Sequence, residues 1–247
     1  GDFKEFEHSI HWLDSLVHTD ALISKTVVEH PLYISVHPKA NHTYSALFIY
    51  EIPQEFSHGI DEFFARIAPS GKFATSKYKE VRMYKNNQPS GIDFYIGGGL
   101  FAASYDHALL TKSADQLNSE SNLANNAEFK LVSMGEGQKT GISIYIHHQN
   151  VYSMLSNFIG KSLSPWILSA NDIRGWSNTD ILPRKDLILM SGFIAASDSS
   201  YLHCFKEADP LDAEFAQELD ENTFYLYSMS IRSMEDYIGK YKEFQQK

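Results

Sequence analysis

The sequence predicts an α+β fold, in which antiparallel β-sheets built from hairpins carry helices packed on one face. Three observations point there. Short strand-like runs come in pairs joined by turn residues, and tight turns join only antiparallel neighbours. Helical stretches fall between groups of strands rather than after each strand, so the strict alternation of a parallel fold is missing. Aromatics make up 13% of the chain, with 16 Phe and 14 Tyr, which favours strands and supplies a sizeable core.

The elements follow in order. Phe3, Phe6, Ile10, Leu13 and Val17 recur at helical spacing and share one face. LYISVH (32–37) and SALFIYEI (45–52) flank the turn-like PKANHTY and read as a hairpin, ended by Pro53. Ile60, Phe63, Phe64 and Ile67 mark an amphipathic helix that stops before Pro69-Ser70-Gly71. KFATSKY, EVRMYK, GIDFYI and LFAAS are short strands separated by NNQPSG and GGG. Asp106 can cap a helix over HALLTKSADQL by accepting from the free amides of its first turn. A looser helical stretch covers 121–133, and GISIYIH (141–147) alternates as a strand does. Asn150 is placed to cap the next helix, with Val151, Met154, Leu155, Phe158 and Ile159 on its apolar face. Residues 160–183 read as irregular. DLILMSGFIAAS (186–197) and YLHCFKE (201–207) read as a second hairpin. Asp209-Pro210 opens a helix carrying Phe215 and Leu219, TFYLYSMS is a last strand, and Ser233 with Asp236 caps a final helix.

Residues 1–247 are expected to form a single α+β domain of two similar halves meeting near 135–150. SALFIYEIPQEFSHGIDEFFARI and YLHCFKEADPLDAEFAQEL both run from an apolar strand through Pro into an acidic, Phe-containing helix. That correspondence suggests a duplicated strand–turn–strand–helix unit.

Composition excludes several partners. The 31 acidic residues outnumber the 21 basic ones, giving a net charge of −10 that repels a phosphate backbone. Lys72, Lys77, Lys79, Arg82 and Lys85 form the densest basic stretch, and a solvated strand face accounts for them. No nucleic acid partner is expected. No apolar run reaches the length of about 18 residues that suggests a transmembrane helix. The opening GDFKEFEHSIHW has neither the basic start nor the apolar core of a leader, which fits a cytoplasmic chain and a mature exported one equally. Cys204 is the one cysteine, so no internal disulfide and no cysteine-based zinc site can form. Asn41-His42-Thr43 fits a glycosylation triplet, a pattern frequent by chance.

Gly97, Gly99 and Ala102 satisfy G-x-G-x-x-[G/A], which cradles a phosphate when a helix starts directly after the glycines. Here Leu100 to Ser104 alternates like a strand and the first helix cap is Asp106, so a glycine turn between paired strands is expected. Gly160-Lys161-Ser162 resembles the end of a P-loop but has Leu155 where the first glycine belongs. Among the 11 histidines, His8 and His11 share a helix side, His37 and His42 flank a turn, and His147 and His148 point to opposite strand faces. None makes an H-E-x-x-H, and no metal or other cofactor is expected. Ser76-Lys77-Tyr78-Lys79 gives S-x-x-K in a strand-like run, where the two groups diverge. Asp209, Asp212, Glu214, Glu218, Asp220 and Glu221 read as a solvated helix face. Trp176, in IRGWSNTDILP, can anchor a ligand or partner or plug a core edge, and plugs under long loops are common.

Three stretches carry a family resemblance: GLFAASYDHALLTKSADQL, GWSNTDILPRKDLILMSGFIAASDSSYLHCFKEADP and DENTFYLYSMS. The hairpin PLYISVHPKANHTYSALFIYEIP is similar as well. The chain resembles a family of uncharacterised secreted or envelope-associated bacterial proteins, known only as a domain of unknown function and often part of longer chains. The resemblance implies an exported, periplasmic or outer-surface location and no accepted activity, with no catalytic or binding residues to carry over.

The expected function is therefore non-catalytic binding or scaffolding at the bacterial envelope or exterior, toward a protein or cell-surface partner. The working surface would be an exposed hairpin or sheet face bearing Tyr33, Tyr95 and Tyr145, with Trp176 as a further anchor. The competing expectation is a hydrolase, metal-dependent or not, assembled from dispersed acids and histidines such as His37, His42, His147, His148 and His203.

Overall fold

A computed structural model describes residues 11, 14, 15, 18, 30–39, 44–52, 72–88, 91–134, 141–155, 172–206, 208, 219 and 229–246, the last four residues of 141–155 in backbone only. The expected helices over 60–67 and 210–219 lie outside this set apart from residue 219. So do His42, the Gly160-Lys161-Ser162 segment, most of the first helix and most of the last strand. The architecture is α+β, with a six-stranded and a three-stranded antiparallel sheet. The chain divides into two compact units, Gly1–Asn122 and Leu123–Lys247, earlier than the 135–150 junction suggested by the sequence.

The first unit holds β1 (Leu32–Pro38), β2 (Tyr44–Glu51), β3 (Phe73–Tyr78), β4 (Val81–Asn86), β5 (Asp93–Gly97) and β6 (Leu100–Ser104). They lie in the order β1-β2-β6-β5-β4-β3. The β5–β6 turn settles the glycine question. Gly97 pairs with Leu100, and the two residues between them, Gly98 and Gly99, have φ of 61° and 76°. Positive φ at both central positions is the backbone of a type I′ hairpin turn, which twists with the strands. Leu100 starts a strand rather than a helix, so no helix N-terminus stands behind the glycines.

Helix α1 (His107–Gln116) follows β6. Asp106 caps it as expected, Oδ1 accepting from the amides of Ala108 at 2.9 Å and Leu109 at 3.3 Å. α1 packs over β2, β5 and β6 and buries Leu110 and Ala114 against Leu47, Val81, Met83, Tyr95 and Ala102. The opposite sheet face has its own core of Phe48, Tyr84, Ile92, Phe94 and Ala103, with Phe73 edge-on and Tyr84 stacked against the Phe94 ring. Each fully buried side chain of this size contributes about 1.5–3 kcal/mol.

The second unit holds α2 (Ala127–Met134), β7 (Ile142–His147), α3 (His148–Leu155), β8 (Gly175–Pro183), β9 (Ile188–Ala196), a 3₁₀ turn at Tyr201–Phe205 and α4 (Met234–Gln245). The sheet order is β7-β8-β9. Three expectations are corrected here. Gly175–Pro183 is a central strand rather than irregular chain. Gly175, Asn178, Asp180 and Pro183 hide it, because such residues are depleted in strands. Tyr201–Phe205 is a 3₁₀ turn capped by Ser200, whose hydroxyl accepts from Leu202 N, so β9 pairs with β8 and not with 201–207. The strand of the proposed repeat is therefore absent from its second copy. α3 begins at His148, directly after β7, which places Asn150 inside the helix. Ser233 does cap α4, accepting from Asp236 N at 3.1 Å.

Within this sheet Asn178 is buried. Its Oδ1 accepts from Phe193 N at 3.2 Å and its Nδ2 donates to Asp180, which also accepts from the Ser143 hydroxyl. α2 packs against β8 and β9, and α3 against β7 and β8.

Candidate functional site

The four residues expected at a binding surface fall into three environments. Tyr33, on β1, is exposed. Tyr95 is the correction: it is 0% exposed, in the core beneath α1. Its hydroxyl lies 3.0 Å from that of Ser113, and burial raises its pKa, with the Ser113 bond partly offsetting the rise. The expectation assumed a hairpin with one wet face, but both faces of β5 are covered. Tyr145 is half-buried against Phe129 of α2. Trp176 pairs in register with His147, whose ring stacks on it at 4.7 Å, and Phe129 meets it edge-on at 5.1 Å. That packing is a plug between α2 and the sheet. Its Nε1 is buried without a hydrogen-bond partner.

The other face of the three-stranded sheet is covered at one end, where His148 of α3 bonds the buried Ser177, and stands open over the rest. Successive residues of a strand point to opposite faces, and partners across an antiparallel ladder share one. The register aligns Ile142 with Ile181 and Met190, Ile144 with Thr179 and Gly192, and Ile146 with Ser177 and Ile194. Ile188, opposite Pro183, extends the same face. Ile142 is 58% exposed, Ile188 67% and Met190 66%, and Ile144 and Ile194 are exposed too. Scattered apolar residues are ordinary on a surface, but a contiguous apolar patch marks an interaction site. Sequence reasoning looked for aromatics and missed this aliphatic face. The signal was present in the period-two isoleucines of GISIYIH and in the uncharged run LILMSGFIAAS.

A polar cluster in the first unit bears on the hydrolase expectation. The β5–β6 hairpin sets Asp93 opposite Ser104, just short of the start of α1, so Asp93 meets His107. Asp93 Oδ2 lies 2.8 Å from His107 Nδ1, while Oδ1 accepts from Asn86 N. A carboxylate held this way fixes the tautomer that leaves Nε2 as the free acceptor. Beside it, Lys39 pairs with Asp106 at 3.2 Å. Burial pushes the Asp106 pKa up, but the Lys39 bond and the α1 amides outweigh it and hold the group below its usual value.

Each described histidine named for a hydrolase has its own partner. His37 bonds the Ser35 hydroxyl on β1, and burial, then the Lys112 charge, lowers its pKa. His147 stacks on Trp176. His148 bonds the Ser177 hydroxyl at 2.9 Å, and burial, then neighbouring His147, lowers its pKa. His203 faces the exposed Asp198 at 3.5 Å. Among the described residues no group of three or more His, Cys, Asp or Glu is arranged to hold a metal. No described helix is long and apolar enough to cross a membrane. No protein-family model, no curated protein and no solved structure matches this chain.

Proposed function

We propose that this chain is a non-catalytic binding or scaffolding protein of the bacterial cell envelope or exterior. Its working surface is the isoleucine face of β7–β8–β9. The observation that carries the reading is the exposure of Ile142, Ile144, Ile188, Met190 and Ile194 on one face, in register across the sheet. The envelope location rests on the family resemblance of the sequence. An apolar face on a chain of net charge −10 fits a partner that covers it by shape and apolar contact while charge limits nonspecific association.

The test is affinity capture from an envelope extract with the native chain and with the Ile144→Asp/Met190→Asp double variant. A partner captured by the native chain should be lost by the variant while the circular dichroism stays native. Equal capture by both would remove the face from the proposal.

The Asp93–His107 pair supports a second reading, a hydrolase in which His107 Nε2 accepts a proton from water. A hydrolytic activity abolished by His107→Gln, with the fold intact, would favour it over the binding protein.

A further inference from the structure

One end of the isoleucine face is covered, and a histidine holds the cover. Along β7, Ile142 and Ile144 are exposed but Ile146 is half-buried. Past Ile146 the chain leaves the strand at His147 and enters α3 at His148 with no linker. α3 packs back on β7 and β8, and its first side chain bonds the buried Ser177, which is the ladder partner of Ile146. That bond ties the first turn of the helix to this end of the face.

The position is a poor one for a positive charge. His148 is half-buried, and burial penalises the imidazolium. It also stands in the first turn of a helix, where the unpaired amides make the field positive. No acid stands in that turn to balance it. From β7 it meets His147, a like charge when protonated, and from β8 it meets Ser177, which has none. β9, on the far side of β8, has no charged residue. Arg174 leads into β8 at this end and is positive too, while the acids there, Asp172 and Asp198, are exposed, and Asp198 pairs with His203. His147 differs, because its ring stacks on Trp176 and an indole face attracts a cation. The Ser177 bond does not itself forbid a proton on His148, since an imidazolium can still donate to a hydroxyl. What opposes the proton is the location.

We propose that α3 is an acid-released cover: protonation of His148 frees its first turn from Ser177, and the open apolar face lengthens by Ile146. Once released, the imidazole reaches water and keeps its proton, so falling pH favours the open form. Below the ordinary histidine value of 6.5, each pH unit shifts that balance by up to about tenfold. The inference rests on the isoleucine face as the working surface and adds control by pH. Opening is read without a partner, so its failure would leave that surface standing, and a surface that captures nothing would leave the opening standing.

The experiment is hydrogen exchange on the full chain from about pH 7.5 to about pH 5.5, with rates corrected for their intrinsic dependence on pH. Over that range the α3 amides of the native chain should lose protection at least about threefold more than those of β8. His148→Gln, neutral throughout, should hold α3 protection level, and His147→Gln should behave as the native chain does. No loss in α3, a loss equal in α3 and β8, one that persists in His148→Gln or one abolished by His147→Gln overturns the inference. Should His148→Gln fail to fold, NMR titration of the His148 ring in the native chain decides alone. A midpoint below 6.5 is expected there, and one at or above it overturns the inference.

Discussion

On β5 the neighbours Phe94 and Tyr95 are both buried, one in each core of the six-stranded sheet. On β9 the neighbours Ile188 and Leu189 are both exposed. Both strands read as apolar runs, yet one is central and covered twice while the other is an edge with little over it. The contrast shows what alternation can and cannot say. It assigns residues to faces, because the pleat does so. Whether a face is covered depends on helices and loops contributed from elsewhere in the chain, and a strand's own residues carry no record of that.

Substitutions of matched size sharpen the comparison most. Leu110→Ala removes a fully buried side chain between α1 and the sheet and should cost about 2–5 kcal/mol in denaturant unfolding. Met190→Ala removes an exposed one and should stay within about 0.5 kcal/mol. Equal losses would mean that the open face is packed in solution. Next in size is the β5–β6 turn. Gly99 has open space where a Cβ would go, so Gly99→Ala meets only the backbone cost of φ 76°. That cost is about 1–2 kcal/mol, measurable as a shift in the unfolding midpoint. A neutral result would mean the turn has another conformation in solution.

The smallest effect is on pH dependence. His37 in the first unit and His148 in the second both have pKa values lowered by burial. The unfolded chain then takes up protons that the folded chain refuses, so stability is full above the ordinary histidine value of 6.5. It is lost as pH falls from there through the folded values. His148→Gln should flatten the decline in segments of the second unit and His37→Gln in the first, read by hydrogen exchange at pH on both sides of that value. A slope unchanged in both variants would assign the loss to other groups.

Much of the first unit was legible in the sequence, and the reasons are local. β1 to β6, the glycine turn and the Asp106 cap each follow from residues within a few positions of one another. The second unit was harder because its decisive contacts are distant in sequence. Gly175–Pro183 reads as a loop until Asn178 finds the Phe193 amide. YLHCF looks like a strand until Ser200 caps it into a 3₁₀ turn. The candidate site followed the same division. Tyr33 was expected exposed and is, whereas Tyr95 was expected exposed and lies beneath α1. Asp93 and His107 meet only because a hairpin folds the chain back, and nothing in their spacing announces it.

Asn178 has one more consequence. A strand as uniform as ILMSGFIAA has few side chains of its own that would fix its alignment along its neighbour. The asparagine's carbonyl works as a key: with β9 displaced by a single place it would lose the Phe193 amide that it holds across the ladder, while its donor kept Asp180 on its own strand. One polar residue inside the sheet thus helps to hold the alignment of a nine-residue strand without a charge.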